Sequence, residues 1–217
     1  GGASRIVLGF MLASAFLSMW ISNTATATMM LPIGLSVILE LEKQFHPNET
    51  TGFSTGVMLG IGYSCSIGGI STLVGTPPNL AFARISQISF PDSPAVSFGQ
   101  WLTMALPITI TLLVIAWLLI TKVFFRVPNK VKVDNSIVEK QKRLLGIISY
   151  EEKVVLTVFS LTVLLWIFRA PINLGLITIP GWSGLLPFPG LVDDGTIAIT
   201  MATLFFLIPS RNPKSGS

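Results

Sequence analysis

Long apolar runs alternate with short polar interruptions along this chain, and the interruptions are as informative as the runs. Stretches 6–39, 53–83, 93–121, 154–168 and 195–210 contain no Asp, Glu, Lys, Arg or His. A water-soluble core rarely sustains such runs repeatedly, so the pattern predicts an all-α, polytopic membrane protein. The first run is broken by "SNTATAT" at 22–28. Its two limbs, 6–21 and 25–41, are about 24 to 26 Å of helix each, against the roughly 20 residues of a comfortable span. Two short limbs around a polar tip predict a re-entrant helical hairpin over 1–43; two ordinary short spans are the alternative.

The run at 50–90 is cut by "GTPPN" at 75–79. Pro77 and Pro78 each lack a backbone donor and disfavour helix in the preceding residue, so the helix is expected to stop there. Leu80–Phe90 then supplies about 16 Å, half a membrane, which predicts a discontinuous transmembrane helix. Gly60, Gly62, Gly68 and Gly69 with Ser64, Ser66 and Ser71 give the preceding helix a small-residue surface for close packing. A regular span is expected over 101–121, continuing to 125.

The segment 122–153 carries Lys122, Arg126, Lys130, Lys132, Lys140, Lys142, Arg143 and Lys153. It is the strongest positive-inside signal and is expected in the cytoplasm, with an amphipathic surface helix over 136–148. Two further spans, Glu152–Phe168 and Thr196–Pro209, flank a Pro/Gly-rich connection containing Trp182, and 211–217 returns to the cytoplasmic side. Asp193 and Asp194 are expected to cap the last helix, Arg169 to anchor at the outer surface, and Arg84 to snorkel to the outer interface, with a place facing the anion route as the alternative. The organisation read from this is a transport-domain half (1–125), a basic cytoplasmic loop (126–153), two scaffold helices (154–210) and a tail.

Composition narrows the function. The chain is 51% hydrophobic and only 11% charged, in the range of multi-pass proteins of a cell membrane, the inner one if bacterial. The net charge of +4 comes from basic residues between and beside the apolar runs, so it reports topology and not nucleic-acid binding. Cys65 and His46 are single, which excludes an intrachain disulfide and a Cys/His metal cluster. No catalytic carboxylate, His or Lys falls within the runs, which argues against an enzyme. The opening "GGASRIVLGF" has no initiating Met, and the chain is read as a fragment or one half of a larger protein.

Non-helical backbone at membrane depth costs several kcal/mol for each polar group left unpaired, so two interruptions suggest a binding site. At the tip, the last carbonyls of the first limb with Ser18 and Ser22 suit a cation. The first amides of the second limb with Asn23 and Thr24 suit an anion. Thr26 and Thr28 either join this site or bond back to their own helix. At "GTPPN", Gly75 permits an unusual backbone angle that aims a carbonyl, Thr76 offers a hydroxyl, and Asn79 can cap the following half-helix. A co-bound Na+ and a polyanion need no buried permanent charge in such a place.

"SNT" at 22–24, preceded by "FLSMWI" and followed by "ATATMMLPI", together with "GGISTLVGTPPN" ending at Asn79, resembles the divalent anion:sodium symporter family of dicarboxylate, citrate and sulfate carriers. The resemblance implies a homodimer in the lipid bilayer, two inverted repeats per protomer and an elevator-like movement. This chain looks like the first repeat and the start of the second. By the same resemblance Ser18, Ser22, Asn23 and the Gly75 carbonyl match a sodium site, and Ser22, Asn23, Thr24, Thr76 and Pro77 match substrate-facing positions. The expected function is Na+-coupled symport of succinate-like di- or tricarboxylates. The alternatives are exchange without sodium, or a sulfate or arsenite-type carrier. The second SNT motif and second sodium site that the family carries are absent from these residues.

Overall fold

The computed structural model describes residues 2–42, 47–93, 96–125, 147–173 and 177–211. They belong to two compact units, one from Gly1–Val96 and Trp101–Val138, the other from Ser97–Gln100 and Glu139–Ser217. The first is built almost entirely of helices, the second of two helices and the connection between them.

In the first unit, α1 (Ala3–Ser18) turns through residues 19–22 into α2 (Asn23–Glu42), and α3 (Pro47–Gly69) packs against both. Their apolar faces meet in one core that includes Val7, Met11, Ile38, Phe53, Val57 and Ile61. Glycine allows the close approach of α1 to α3: a Cβ on Gly68 would lie 2.2 Å from the Ala15 carbonyl oxygen. The chain then runs irregularly from Ile70 to Thr76 and resumes as α4 (Pro77–Ser89). α5 (Phe98–Leu118) continues into a π-helical turn, Leu119–Phe124. Its Trp117 indole donates to the Ser4 carbonyl of α1 at 3.0 Å.

Several boundaries differ from the sequence reading. The helix before the break ends at Gly69 and not at the prolines; Pro77 and Pro78 are the first residues of α4. The missing N–H of a proline costs nothing in the first turn, and its fixed φ favours helix there. The limbs of the hairpin are also longer or shifted. α2 has 20 residues and is long and apolar enough to cross a membrane, as is Phe98–Phe124, whereas α1 is shorter.

In the second unit α6 (Tyr150–Ile167) packs on α7 (Asp194–Leu207). The connection between them is not all irregular: β1 (Ile172–Asn173) pairs antiparallel with β2 (Thr178–Ile179), followed by two 3-10 turns, so the strictly all-α expectation gives way to a mostly helical fold with one small ladder. Ser149 and Glu152 form a reciprocal capping box at the start of α6. Asp193 and Thr196 do the same for α7. Asp194 does not cap; its carboxylate pairs with Arg169 at 2.6 Å. Exposed Arg84 bonds Gln87 on its own helix. Residues 126–146 of the basic loop, with most of its expected surface helix, lie outside the described residues; Ile147 and Ile148 are not helical, and Tyr150–Lys153 already belong to α6.

Candidate functional site

The two interruptions adjoin. Ser18 is the last residue of α1, Asn23 the first of α2, and the Ser18 hydroxyl lies 2.6 Å from Asn23 Oδ1 and 2.6 Å from the Cys65 carbonyl oxygen of α3. Asn23 in turn rests on Gly69: a Cβ there would sit 2.4 Å from Asn23 Oδ1 and 2.6 Å from Thr76 Cγ2. Gly69 is thus the bare spot on which a tip residue and a break residue converge. Gly75 closes the group, since a Cβ on it would lie 2.4 Å from the Gly69 carbonyl oxygen. Gly75 has no positive φ. It is glycine for lack of space, and the unusual backbone angle expected from the sequence is not what it supplies.

Side chains already satisfy many of the carbonyls that the interruptions release. Thr72, fully buried, donates its hydroxyl to the Met19 carbonyl and accepts from the Gly75 N–H. One side chain therefore ties tip to break. Asn79 donates its amide to the Gly69 and Thr72 carbonyls at 2.9 and 2.7 Å. Its expected role as a cap of α4 is overturned: the N-cap is Thr76, with no side-chain capping bond, and Asn79 instead closes the C-terminal end of α3. The Trp101 indole takes the Ile70 carbonyl, and the buried Ser71 and Thr109 hydroxyls pair at 3.0 Å. Thr28 bonds back to Thr24 and Ala25, which removes it from the site.

What is left over defines the chemistry. Ser18 has one hydroxyl proton for two nearby oxygens. When it goes to Cys65, the lone pairs of Ser18 Oγ and Asn23 Oδ1 face each other, and a small cation relieves that repulsion. With its oxygen turned to Ser18, Asn23 points its NH2 donors elsewhere. Ser22 accepts from the Ala25 N–H at 3.3 Å, so α2 itself supplies no partners for the N–H groups of Asn23 and Thr24. These amides carry the positive end of the α2 dipole. α4 contributes differently: Pro77 and Pro78 have no N–H, and the Asn79 N–H bonds the Thr76 carbonyl. Its start offers a dipole and the Thr76 hydroxyl but few backbone donors. Ser18 and Gly75 are buried, Asn23 and Thr76 half-buried, and Ser22, Thr24 and Pro77 exposed. The Ser18 side of the cluster is thereby enclosed and the Thr24 side open.

Sequence reasoning missed Thr72 and the Cys65 carbonyl. Thr72 had a faint signal, a hydroxyl residue three positions before the glycine of "GTPPN"; the Cys65 carbonyl had none, because any residue type carries one.

Residues 1–210 match the family described as "Sodium:sulfate symporter transmembrane region". The sodium-dependent dicarboxylate transporter SdcS of Staphylococcus saprophyticus is 38% identical over 215 residues, covering 97% of this chain. SdcS of Staphylococcus aureus strain NCTC 8325 is 40% identical over 216 residues, again 97% of this chain. The chain spans 39% of the length of these relatives. A match of this extent, on the residues that build the tip and the break, settles the class: the chain belongs to the sodium:sulfate symporter family of membrane transport proteins.

Proposed function

We propose that this chain forms part of a secondary active transporter that carries di- or tricarboxylates of the succinate kind together with Na+. The observation that supports this most is the meeting of Ser18, Asn23 and Thr76 around Gly69, an uncharged cluster with a cation-suited oxygen pair at one end and unpaired helix-start amides at the other. Both staphylococcal relatives are sodium-dependent dicarboxylate transporters, which supports the same reading.

In this reading Ser18, Ser22, Asn23 and the Gly75 carbonyl hold Na+, while Ser22, Asn23, Thr24, Thr76 and Pro77 face the anion. Asn23 belongs to both sets. Its oxygen turns toward the cation and its NH2 toward the anion, so a bound Na+ orients the amide that receives the substrate. Coupling then needs no buried charge: the cation offsets the repulsion that a polyanion meets in a neutral site. Burial of the cation end also orders the events, with Na+ entering before the anion covers it.

The membrane arrangement belongs to the same proposal. α1 and α2 form a re-entrant hairpin, α3 and α4 a discontinuous transmembrane helix, and 122–153 lies in the cytoplasm. Residues 1–125 move as the transport-domain half of an elevator against α6 and α7, in a homodimer. The family's description names sulfate, and this favours one second reading, a sulfate carrier, since hydroxyls and amides bind oxyanion oxygens alike.

Uptake of radiolabelled succinate and sulfate by vesicles containing the full-length protein decides among these. The expected result is succinate accumulation that follows an inward Na+ gradient and disappears in the Asn23→Ala/Thr76→Ala double variant. Accumulation that persists in that variant, or ignores the gradient, overturns the reading.

A further inference from the structure

Three hydroxyls in the first unit are buried completely and have no hydrogen-bond partner: Ser14 Oγ on α1, Thr26 Oγ1 on α2 and Ser64 Oγ on α3. The chain's habit elsewhere is different. Thr28, Thr111, Thr121, Thr162 and Thr200 each bond back to a carbonyl one turn earlier, the ordinary way for a helical hydroxyl to be satisfied. An orphaned buried hydroxyl costs roughly 1–3 kcal/mol, and three in one core call for a ligand.

The packing brings the three to one level. Gly60, Ser64 and Gly68 recur at every fourth position of α3 and share a face. A Cβ on Gly60 would meet Met11 at 3.0 Å, and one on Gly68 would meet Ala15. Ser64, midway between, therefore faces the turn of α1 that carries Ser14. On α2 the buried row is Thr26, Met30, Gly34 and Ile38. A Cβ on Gly34 would contact both Ile61 and Phe10, so this row lies in the groove between α3 and α1. Thr26 stands on it one turn from Asn23, as Ser14 stands one turn from Ser18 and Ser64 beside Cys65. Ser14 and Thr26 thus stand one helical turn, and Ser64 one residue, from groups of the Ser18–Asn23–Cys65 cluster.

The chemistry of that level selects the ligand. These positions are inside regular helices, whose carbonyls are consumed by the helical ladder. Among the described residues no charged side chain is buried. A cation there finds too few free oxygens to offset its lost hydration. Three hydroxyls that both donate and accept suit a small neutral ligand that does the same, and a buried water makes about three such bonds. We propose that Ser14, Thr26 and Ser64 hold a buried water site that joins α1, α2 and α3 beneath the tip. The inference rests on this packing alone and stands apart from the transport reading.

Radiolytic footprinting of the purified full-length protein in 18O water tests it, because radicals formed at a bound water oxidise neighbours that bulk solvent does not reach. Met11 and Cys65, 0% and 2% exposed, are expected to take up label. That labelling should fall several-fold in Ser14→Ala/Thr26→Val/Ser64→Ala. Thermal unfolding gives the second reading. Each single variant should lower Tm by about 2 °C or more, and the triple variant by less than the sum, since the last replacement removes the stranded partners as well. Unlabelled Met11 and Cys65 together with additive or negligible Tm shifts mean a dry, back-bonded interface and overturn the proposal. Tm effects that appear in Na+ and vanish when Na+ is replaced by choline mean a cation site and overturn it equally.

Discussion

The two units close their helix ends by opposite means. In the second, α6 and α7 begin with reciprocal capping boxes, Arg169 pairs with Asp194, and Glu151 accepts from the Ser210 hydroxyl and the Arg211 N–H. Charge is spent locally, between groups that satisfy each other. In the first, the ends of α1, α2, α3 and α4 are held by neutral hydroxyls and amides reaching far along the sequence: Ser18 to Cys65, Thr72 to Met19, Asn79 to Gly69. The contrast fits the proposed division into a framework and a place that a ligand can complete. A capped, ion-paired end has nothing further to offer, whereas an end closed by hydroxyls keeps lone pairs and amide protons for a guest.

The sharpest way to break that contrast is to remove Asn23, the residue assigned to both guests. Asn23→Ala in the full-length protein is expected to weaken the apparent Na+ affinity of succinate uptake by about ten- to a hundredfold, the range for losing a hydrogen bond or ligand contact to a charged group. Arg169→Met, in the other unit, should leave that affinity where it is. If the two variants affect Na+ affinity alike, the division into framework and site is wrong.

Glycines supply a steric version of the same comparison. Gly69→Ala forces a methyl group into Asn23 Oδ1 and Thr76 Cγ2, both under 3.0 Å, and overpacking of this kind costs about 1–3 kcal/mol. Uptake should fall by about tenfold or more at normal expression. Gly62→Ala, on the same helix with nothing within 4 Å of its Cβ position, should be silent. Thr72 sharpens the picture further. Thr72→Val breaks the link between Met19 and the Gly75 N–H, and about tenfold weaker Na+ affinity is expected; Thr72→Ser keeps the hydroxyl and should restore it. A Val variant indistinguishable from wild type would leave the tip and break uncoupled.

Much of this was readable in the sequence, for identifiable reasons. Apolar runs free of charge mark helices to within a few residues, and Asp193 three positions before Thr196 is a visible N-cap. "SNT" and "GTPPN" marked the two places where helix fails. The details within them were not readable, because each depends on a partner distant in the chain. Pro77 and Pro78 read as a stop but serve as a start, since a proline is costly only where its N–H is needed, and the actual stop falls at Gly69. Asn79 reads as a cap for the helix it belongs to, yet its amide turns back to Gly69 and Thr72. Nothing local distinguishes these options; the proximity of α3's end decides between them.

The ion pair of the second unit gives a smaller effect, confined to stability. Arg169 and Asp194 are mostly buried, with side chains 18% and 25% exposed, and Arg169 also donates to the Val192 carbonyl. Asp194→Asn should lower Tm by a few degrees, a loss of about 1–2 kcal/mol, while the Na+ dependence of uptake stays unchanged.

The smallest effect expected is that of Asp193, and it carries a sign. Its carboxylate accepts the Thr196 N–H at 2.7 Å and the Thr196 hydroxyl at 2.7 Å. The backbone bond foremost, and then the side-chain bond, hold its pKa below the ordinary carboxylate value. A depressed carboxylate contributes stability that is present above its unfolded pKa, about 3.9, and is lost as pH falls through the lower folded value. The cap should therefore be fully effective at pH 7 and weaken only below about pH 4. Asp193→Ala removes about 1 kcal/mol of capping at neutral pH, and its stability should converge on that of the wild type in acid. Asp193→Asn, a cap of similar quality without the charge, should show no convergence, because it keeps accepting from Thr196 at every pH. Parallel wild-type and Asp193→Ala curves from pH 7 down to pH 3 would mean that the framework unit does not close its helix ends with charge, and the opposition between the two units would lose its clearest local case.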